Sequence, residues 1–256
     1  GRLRLAVCGG APLSPTVARI FIGLGLPIVQ GYGLTESSPV ISVNQLQDNV
    51  PDSVGKLLPG VEASTTDEGE LLVRGPNVML GYWNRPEATK EIIDKEGWLH
   101  TGDKVHLDES GHIKITGRLK DILVLSNGEK LPPADLELAL ALDTLFEQVM
   151  VIGEGKPFLA ALLVMNEEML SELLEKMHYK GSKEEALTDT ALQQIIMERI
   201  EKQLSHFPGY AHIFRVHLQL EPWSIENGML TPTMKLRRAR IMERHSEEIE
   251  DMYEGH

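Results

Sequence analysis

Apolar and polar residues follow two rhythms along this chain, and the change from one to the other divides it. Residues 3–7, Leu-Arg-Leu-Ala-Val, alternate and run into Gly9-Gly10, which predicts a strand entering a tight turn. Residues 15–24 carry apolar side chains at helical spacing behind Ser14-Pro15, a favourable helix start. Residues 27–30 predict another strand, broken by Gly31-Tyr32-Gly33, and residues 70–74 alternate again between glycines. Residues 105–107 and 112–115 flank Asp108-Glu109-Ser110-Gly111, which predicts a hairpin; residues 122–125 and the segment after Asn127-Gly128 predict a second one.

Beyond that point the texture changes. Pro132-Pro133 opens a predicted helix through Leu142, and residues 149–152 and 158–165 predict strands. Residues 166 to about 207 read as helical, with Leu192, Ile196, Ile200 and Leu204 on one face. Residues 212–220 predict a strand and residues 237–253 a charged terminal helix. The first ~118 residues are rich in glycine and strand, whereas the rest alternates strand and helix around a smaller core. A domain boundary is expected near Arg118 to Asp121, giving domains at 1–118 and 119–256.

Composition narrows the classes. Of 256 residues, 42% are hydrophobic and 25% charged, which is globular and not disordered. The formal charge of 25 − 38 = −13 argues against a dedicated nucleic-acid binder, which needs a basic face. Cys8, the single cysteine, rules out an internal disulfide framework and fits a reducing compartment. No apolar run approaches the length of a membrane span. The nine histidines show no His-x-x-x-His or paired-carboxylate spacing, so no zinc site is expected. The acidic run at 247–251 reads as a solvated helix face.

Four stretches carry candidate chemistry. In Gln30-Gly31-Tyr32-Gly33-Leu34-Thr35-Glu36-Ser37, glycines permit close backbone approach. Thr35 offers a hydroxyl to phosphate, Glu36 a hard oxygen to magnesium and Tyr32 a flat face to a base. Taken alone, the stretch reads more simply as a glycine-rich strand-to-loop turn with an incidental polar tail. In Gly97-Trp98-Leu99-His100-Thr101-Gly102-Asp103, the Asp103 carboxylate can accept two hydrogen bonds from a cis-diol, or belong to an ordinary Asx-turn. In Gly117-Arg118-Leu119-Lys120-Asp121, Arg118 can fork onto ribose or phosphate oxygens. In Thr231-Pro232-Thr233-Met234-Lys235-Leu236-Arg237-Arg238, Lys235 can neutralise charge developing between a carboxylate and an α-phosphate, or be a solvated cation at a helix start.

The order and content of these motifs resemble the adenylate-forming superfamily: acyl-CoA synthetases, luciferases and the adenylation domains of peptide synthetases. Gly9-Gly10-Ala11-Pro12-Leu13, Gly69-Glu70-Leu71-Leu72-Val73-Arg74-Gly75 and Val78-Met79-Leu80-Gly81-Tyr82 extend the resemblance along the chain. It implies a mixed α/β (α+β) fold: the end of a large adenylate-forming domain with a β-barrel-like subdomain, then a small mobile α+β lid. It implies that Gly10, Ala11 and Tyr32 enclose adenine, Thr35 contacts phosphate and Glu36 holds Mg2+. Asp103 then binds the ribose hydroxyls beside Arg118, and Lys235 serves as the catalytic lysine of adenylation. Lys120 falls at the hinge, and Gly128 in the Ser126-Asn127-Gly128 turn approaches the pantetheine thiol.

Residues 118–122, 125–129 and 231–238, with the helical insert from 166 to 207, look most like long-chain fatty acyl-CoA synthetases. The implied reaction makes an acyl-adenylate from a fatty acid and ATP, then a thioester with coenzyme A, releasing AMP and pyrophosphate. An acyl-carrier-protein ligase, a luciferase-like oxidase and a non-catalytic nucleotide-binding remnant are the alternatives. The Ser/Thr/Gly-rich phosphate loop and acyl pocket that precede this region in the family do not occur here. The chain therefore reads as part of something longer, expected to lack adenylation activity alone. A cytoplasmic location with peripheral membrane contact fits a fatty substrate.

Overall fold

Short alternating runs separated by glycines, and one apolar run with no polar residue in it, set the two halves of the fold. The computed structural model describes residues 2–255. They divide into two compact units, the first ending at Asp121 and the second beginning at Ile122.

In the first unit, β1 (Ala6–Cys8) lies parallel to β2 (Ile28–Gly33), with helix α1 (Pro15–Gly23) as the crossover between them. Pro15 stands at the start of α1, where its missing N–H costs nothing. Contrary to the sequence expectation, Gly31-Tyr32-Gly33 does not break the strand. It continues β2, and pairs antiparallel with β3 (Val40–Val43), which in turn pairs with β4 (Lys56–Leu57). The glycines accept extended geometry here because the partner strand supplies their hydrogen bonds.

A second sheet follows as a meander: β5 (Glu62–Thr65), β6 (Glu70–Arg74), β7 (Leu99–Leu107) and β8 (Ile113–Arg118), with helix α2 (Pro86–Ile92) between β6 and β7. Alternation decides what is buried: Leu71 and Val73 of β6 are fully inside, and Glu70 and Arg74 point the other way. Tyr32 and Ile41 from the first sheet share a core with Leu71, Val73, Val105 and Ile113 from the second. The expected barrel-like subdomain is not a barrel. The sheet ends at β5 and β8, which do not pair, so it stays open. Glu62, Ser64 and Thr65 are exposed on its β5 edge, a polar edge of the kind that open sheets use.

In the second unit, β9 (Leu123–Val124) and β10 (Lys130–Leu131) form the hairpin that Asn127-Gly128 predicts. Helix α3 (Pro133–Leu140) leads to β11 (Phe146–Ile152) and β12 (Leu159–Met165). Helices α4 (Glu167–Lys176), α5 (Lys183–Ala186) and α6 (Thr190–Gln203) precede β13 (Ile213–Gln219), and α7 (Arg238–Arg244) and α8 (Ser246–Tyr253) end the unit. Strand β12 is central, antiparallel to β11 and parallel to β13. All seven of its residues are buried, which is why it reads as a continuous apolar run. Ala161, Leu163 and Met165 face a core with Leu136, Leu170, Ile196 and Ile200; Ala160, Leu162 and Val164 face another with Trp223, Ile241 and Met252.

The helical stretch from 166 to 207 is three helices, each started by its own cap. Asn166 accepts from the N–H groups of Glu168 and Met169, Ser182 forms a capping box with Glu185, and Asp189 accepts from Ala191 and Leu192. The terminal helix is likewise two, with His245 between them off helical geometry at φ −108°, ψ 28°.

Candidate active site

The parallel pairing of β1 with β2 places Cys8 beside Gln30. Gly10 and Tyr32 each follow two residues later, at the C-terminal ends of those strands, where open α/β sheets bind ligands. Gly10 takes φ +83°, and Ala11 is exposed just beyond it.

Tyr32 is buried, and its hydroxyl donates to Asp103 Oδ2 at 2.5 Å across 71 residues of sequence. Burial, then the Asp103 carboxylate, pushes the Tyr32 phenol above its ordinary value. Asp103 does not sit in a turn: it lies within β7, opposite Arg118 on β8. Arg118 Nε stands 3.3 Å from Asp103 Oδ1, with about half of the arginine side chain in solvent. Asp103 is thus buried on its Tyr32 side and paired with a cation on its other oxygen. Its backbone is held too, since Asp103 N–H donates to Thr101 Oγ1 at 3.2 Å and Thr101 Oγ1 donates to Leu71 O at 2.8 Å. Glu70 steadies the segment before it by accepting from Gly102 N–H at 2.9 Å, and His100 Nδ1 lies 3.0 Å from the other Glu70 oxygen.

Thr35 and Glu36 occupy a single 3-10 turn after β2. The turn is tied from beneath by buried Ser37, whose Oγ accepts from Leu34 N–H at 2.9 Å and donates to Pro39 O at 2.6 Å. Gly33 is required for it: a Cβ there would lie 1.7 Å from Pro39 O. The result leaves the Thr35 side chain exposed. Glu36 Oε1 accepts from the Tyr82 hydroxyl at 2.6 Å, and Glu36 O accepts from Met79 N–H at 2.8 Å. That carboxylate, acting through the hydrogen bond first and burial second, raises the Tyr82 phenol to about 12. Tyr82 was part of a recognised motif but carried no role in the sequence; only the 46-residue contact gives it one.

In the second unit, Lys235 is exposed on a turn closed by a bridge between Leu230 and Leu236. Thr231 N–H donates to Lys235 O at 2.8 Å, and Lys235 N–H donates to Thr231 Oγ1 at 3.0 Å. Met234 takes φ +61°, which turns the chain just before the lysine. Three residues on, Arg238 anchors the turn: it donates to Glu137 Oε1 at 2.7 Å and to Val151 O. Among the described residues Lys235 makes no ion pair, so its ammonium is available to a ligand.

Gly128 closes the β9–β10 turn at φ +88°, with Gly128 N–H donating to Leu125 O at 2.8 Å. A Cβ there would meet nothing within 4 Å inside this unit. The backbone angle, and not crowding, calls for glycine at this position. Lys120 and Asp121 form the turn after β8, at the end of the first unit.

The structure therefore brings Tyr32, Asp103 and Arg118 together in one cluster and sets Thr35 and Glu36 on the turn after the Tyr32 strand. The lysine turn and the Gly128 turn belong to the second unit. The arrangement within the first unit joins a buried phenol, a buried carboxylate and a half-exposed guanidinium in one cluster.

Comparisons with known proteins agree with this chemistry. The family described as "AMP-binding enzyme" matches residues 1–83, and "AMP-binding enzyme C-terminal domain" matches residues 120–256. The long-chain-fatty-acid--CoA ligase FadD15 of Mycobacterium bovis is 37% identical over 259 residues, covering 99% of this chain and 42% of that protein. The long-chain-fatty-acid--[acyl-carrier-protein] ligase AEE15 of Arabidopsis thaliana is 31% identical, covering 99% of this chain and 36% of that protein. The chain thus spans about two fifths of the length of the curated relatives it matches. Among solved structures, the adenylation domain of a carboxylate reductase from Mycobacterium chelonae shares the fold, with a TM-score of 0.81 at 24% identity over 97% of this chain and 38% of that one. The A domain of a carboxylic acid reductase from Segniliparus rugosus, solved with AMP and a co-purified carboxylic acid, gives 0.80 at 25% identity over 97% and 39%.

Proposed function

Because the chain belongs to the AMP-binding enzyme family, we propose that it carries the nucleotide-binding and lid portions of an AMP-forming ligase that joins a long-chain fatty acid to coenzyme A. The observation that carries this reading is the Tyr32–Asp103–Arg118 cluster, a base-sized aromatic face beside a diol-binding carboxylate and a cation. The relatives at 33–37% identity named long-chain-fatty-acid--CoA ligase support the acyl substrate and the thiol acceptor.

In the first step a fatty carboxylate oxygen attacks the α-phosphorus of ATP, the bond to the β-phosphate oxygen breaks, and pyrophosphate leaves. Tyr32 offers its ring to adenine, with Gly10 and Ala11 forming the other wall, and the Tyr32 hydroxyl holds Asp103 in place. Asp103 accepts from the ribose hydroxyls, and Arg118 lies beside them. The Thr35 hydroxyl donates to a phosphate oxygen. Glu36 fits Mg2+ because it presents a hard carboxylate whose Oε1 is already oriented by Tyr82 and whose Oε2 remains for a cation. Held by Glu36, a magnesium ion would supply positive charge to the phosphate oxygens. Lys235 brings positive charge to the carboxylate and α-phosphate as they approach.

In the second step the thiol of coenzyme A gives up its proton to solvent as its sulfur attacks the acyl carbon, and AMP leaves with the electrons of the bond between that carbon and the phosphate oxygen. The lid, residues 119–256, turns about Lys120 between the steps, withdrawing Lys235 and bringing the Gly128 turn to the thiol. Support for a hinge there comes from the division of the chain into compact units directly after Asp121, one residue past Lys120. The substrates are fatty acid, ATP and coenzyme A, with no nucleic acid. Among the described residues no helix is long and apolar enough to cross a membrane. The fatty substrate is what favours peripheral membrane contact for an enzyme placed in the cytoplasm.

The AEE15 relative favours a second acceptor, an acyl carrier protein. The full-length protein separates these readings. Fatty-acid-dependent exchange of pyrophosphate into ATP should fall at least about 100-fold in Lys235→Ala. Thioester formation from supplied acyl-adenylate should persist, with coenzyme A as acceptor. Unchanged exchange in that variant sinks the adenylation reading; carrier acylation without any coenzyme A thioester replaces the acceptor.

A further inference from the structure

The second unit holds a cluster that the adenylation chemistry does not use. His217 sits on β13, on the same face as Gln219. His245 lies between α7 and α8, and Glu248 is in the first turn of α8, which packs on β13. One donor atom from each of the three lies within 4.8 Å of the other two. The histidine rings are 5.6 Å apart between centroids, and His245 Nδ1 is 3.8 Å from Glu248 Oε1, too far for a hydrogen bond.

We infer that His217, His245 and Glu248 form a binding site for a divalent transition metal of the zinc type. Two imidazoles and one carboxylate are a donor set that zinc accepts, with a fourth position left for water or a small anion. Metal–ligand bonds of about 2.0–2.1 Å place tetrahedral donor atoms roughly 3.3 Å apart. Reaching that spacing takes a contraction of about 0.5 Å in the 3.8 Å pair and at most about 1.5 Å for atoms 4.8 Å apart, and Glu248, 40% exposed, has the freedom to provide much of it.

Two further observations point to a ligand. All three residues line one cavity of about 580 Å³, ample for the fourth position. Two of the lining residues carry buried polar atoms without hydrogen-bond partners, His245 Nδ1 and Trp223 Nε1, and orphaned atoms of that kind are uncommon in a finished interior. The site is made by tertiary structure: His217 is 28 residues from His245, so the absence of His-x-x-x-His spacing in the sequence does not speak against it.

Bound metal would pin α8 to β13. The test is calorimetric titration of the tag-free 256-residue chain with Zn2+, with Co2+ absorbance as a coordination readout. One equivalent should bind, Co2+ should show the visible bands of four-coordination, and a hundredfold excess over Kd should raise the melting midpoint by about 5 °C. His217→Gln and Glu248→Gln should each weaken binding at least about tenfold, with far-UV circular dichroism unchanged, and His212→Gln should not. Glu248→Gln changes only a partly exposed group, so its fold is not at risk. Absence of saturable binding below about 100 μM, or equal affinity in the variants, overturns the assignment.

Discussion

The Tyr32 cluster and the Lys235 turn are built on opposite principles. Around Tyr32 each polar group is already engaged within the protein: the hydroxyl on Asp103, the carboxylate on Arg118, the Thr101 hydroxyl on Leu71 O. Lys235 is exposed, and the bonds that shape its turn are made by its backbone and by Arg238, leaving the ammonium uncommitted. A group that recognises a ligand in every step gains from being fixed before the ligand arrives. A group needed in one step gains from standing on a well-made turn that can be moved as a whole. The contrast suggests that binding resides in the first unit and timing in the second.

Removing the anchor of the first cluster should have the largest effect of the substitutions that test this contrast. Asp103→Ala strips the buried Tyr32 hydroxyl of its carboxylate acceptor and Arg118 of its partner. It should cost about 1–3 kcal/mol of stability, read from urea denaturation. In the full-length protein it should weaken nucleotide binding about 10–100-fold. Lys235→Ala should change stability by less than about 0.5 kcal/mol. Equal destabilisation by the two would break the comparison, because the lysine would then be structural.

Next in size is Arg238→Ala. Arg238 joins α7 to Glu137 on α3 and to Val151 O on β11. Its loss should cost about 1–2 kcal/mol. It should also lower kcat for adenylation roughly tenfold with KM for ATP little changed, because the lysine turn loses its anchor while the nucleotide cluster is untouched. Arg238→Lys should restore little, since one ammonium cannot reach both acceptors in the guanidinium's fork geometry. A change in KM alone would place Arg238 in binding and not in positioning.

These contacts explain which parts of the fold and site were legible in the sequence. Strand β12 was plain because both its faces are buried, and the β9–β10 hairpin because Asn127-Gly128 specifies its own turn. The residues of each motif were readable as groups, because they are neighbours in sequence. Their assembly was not, because Tyr32 meets Asp103 across 71 residues and Glu36 meets Tyr82 across 46. Strands β3 and β4 escaped notice for a related reason: four and two residues long, they exist through pairing with β2 and with each other. The breaks between α4, α5 and α6 were different. Asn166, Ser182 and Asp189 are capping residues in plain view, but a sustained apolar face outweighed them. The open sheet from β5 to β8 followed no local signal, since closure depends on whether its edge strands meet.

The smallest expected effect concerns the tyrosines, and it asks whether the interior contacts of both units are as tight as drawn. Of five tyrosines, Tyr32 is raised by burial and Asp103, Tyr82 to about 12 by its bond to Glu36, Tyr253 to about 12 by burial, and Tyr179 is raised too, by burial and the nearby Asp189 and Glu185 carboxylates. Each loses its proton more readily when unfolded, near pH 10. The folded chain therefore binds more protons than the unfolded chain above that pH, so the slope of stability against pH is negative there. The contribution is complete below about pH 10 and is lost as pH rises towards 12 and beyond. Because Tyr82 retains solvent contact, its share of the loss at pH 10.5 should be modest, a small fall in urea midpoint compared with pH 8. Spectrophotometric titration gives the sharper reading. At pH 10.5, with circular dichroism still native, tyrosinate absorbance should account for no more than about two of the five phenols. Tyr32→Phe should leave that early absorbance unchanged, and Tyr82→Phe should too. Full ionisation of all five in the native chain at that pH would mean that Asp103 and Glu36 do not hold their tyrosines, and the preorganised half of the comparison would fail.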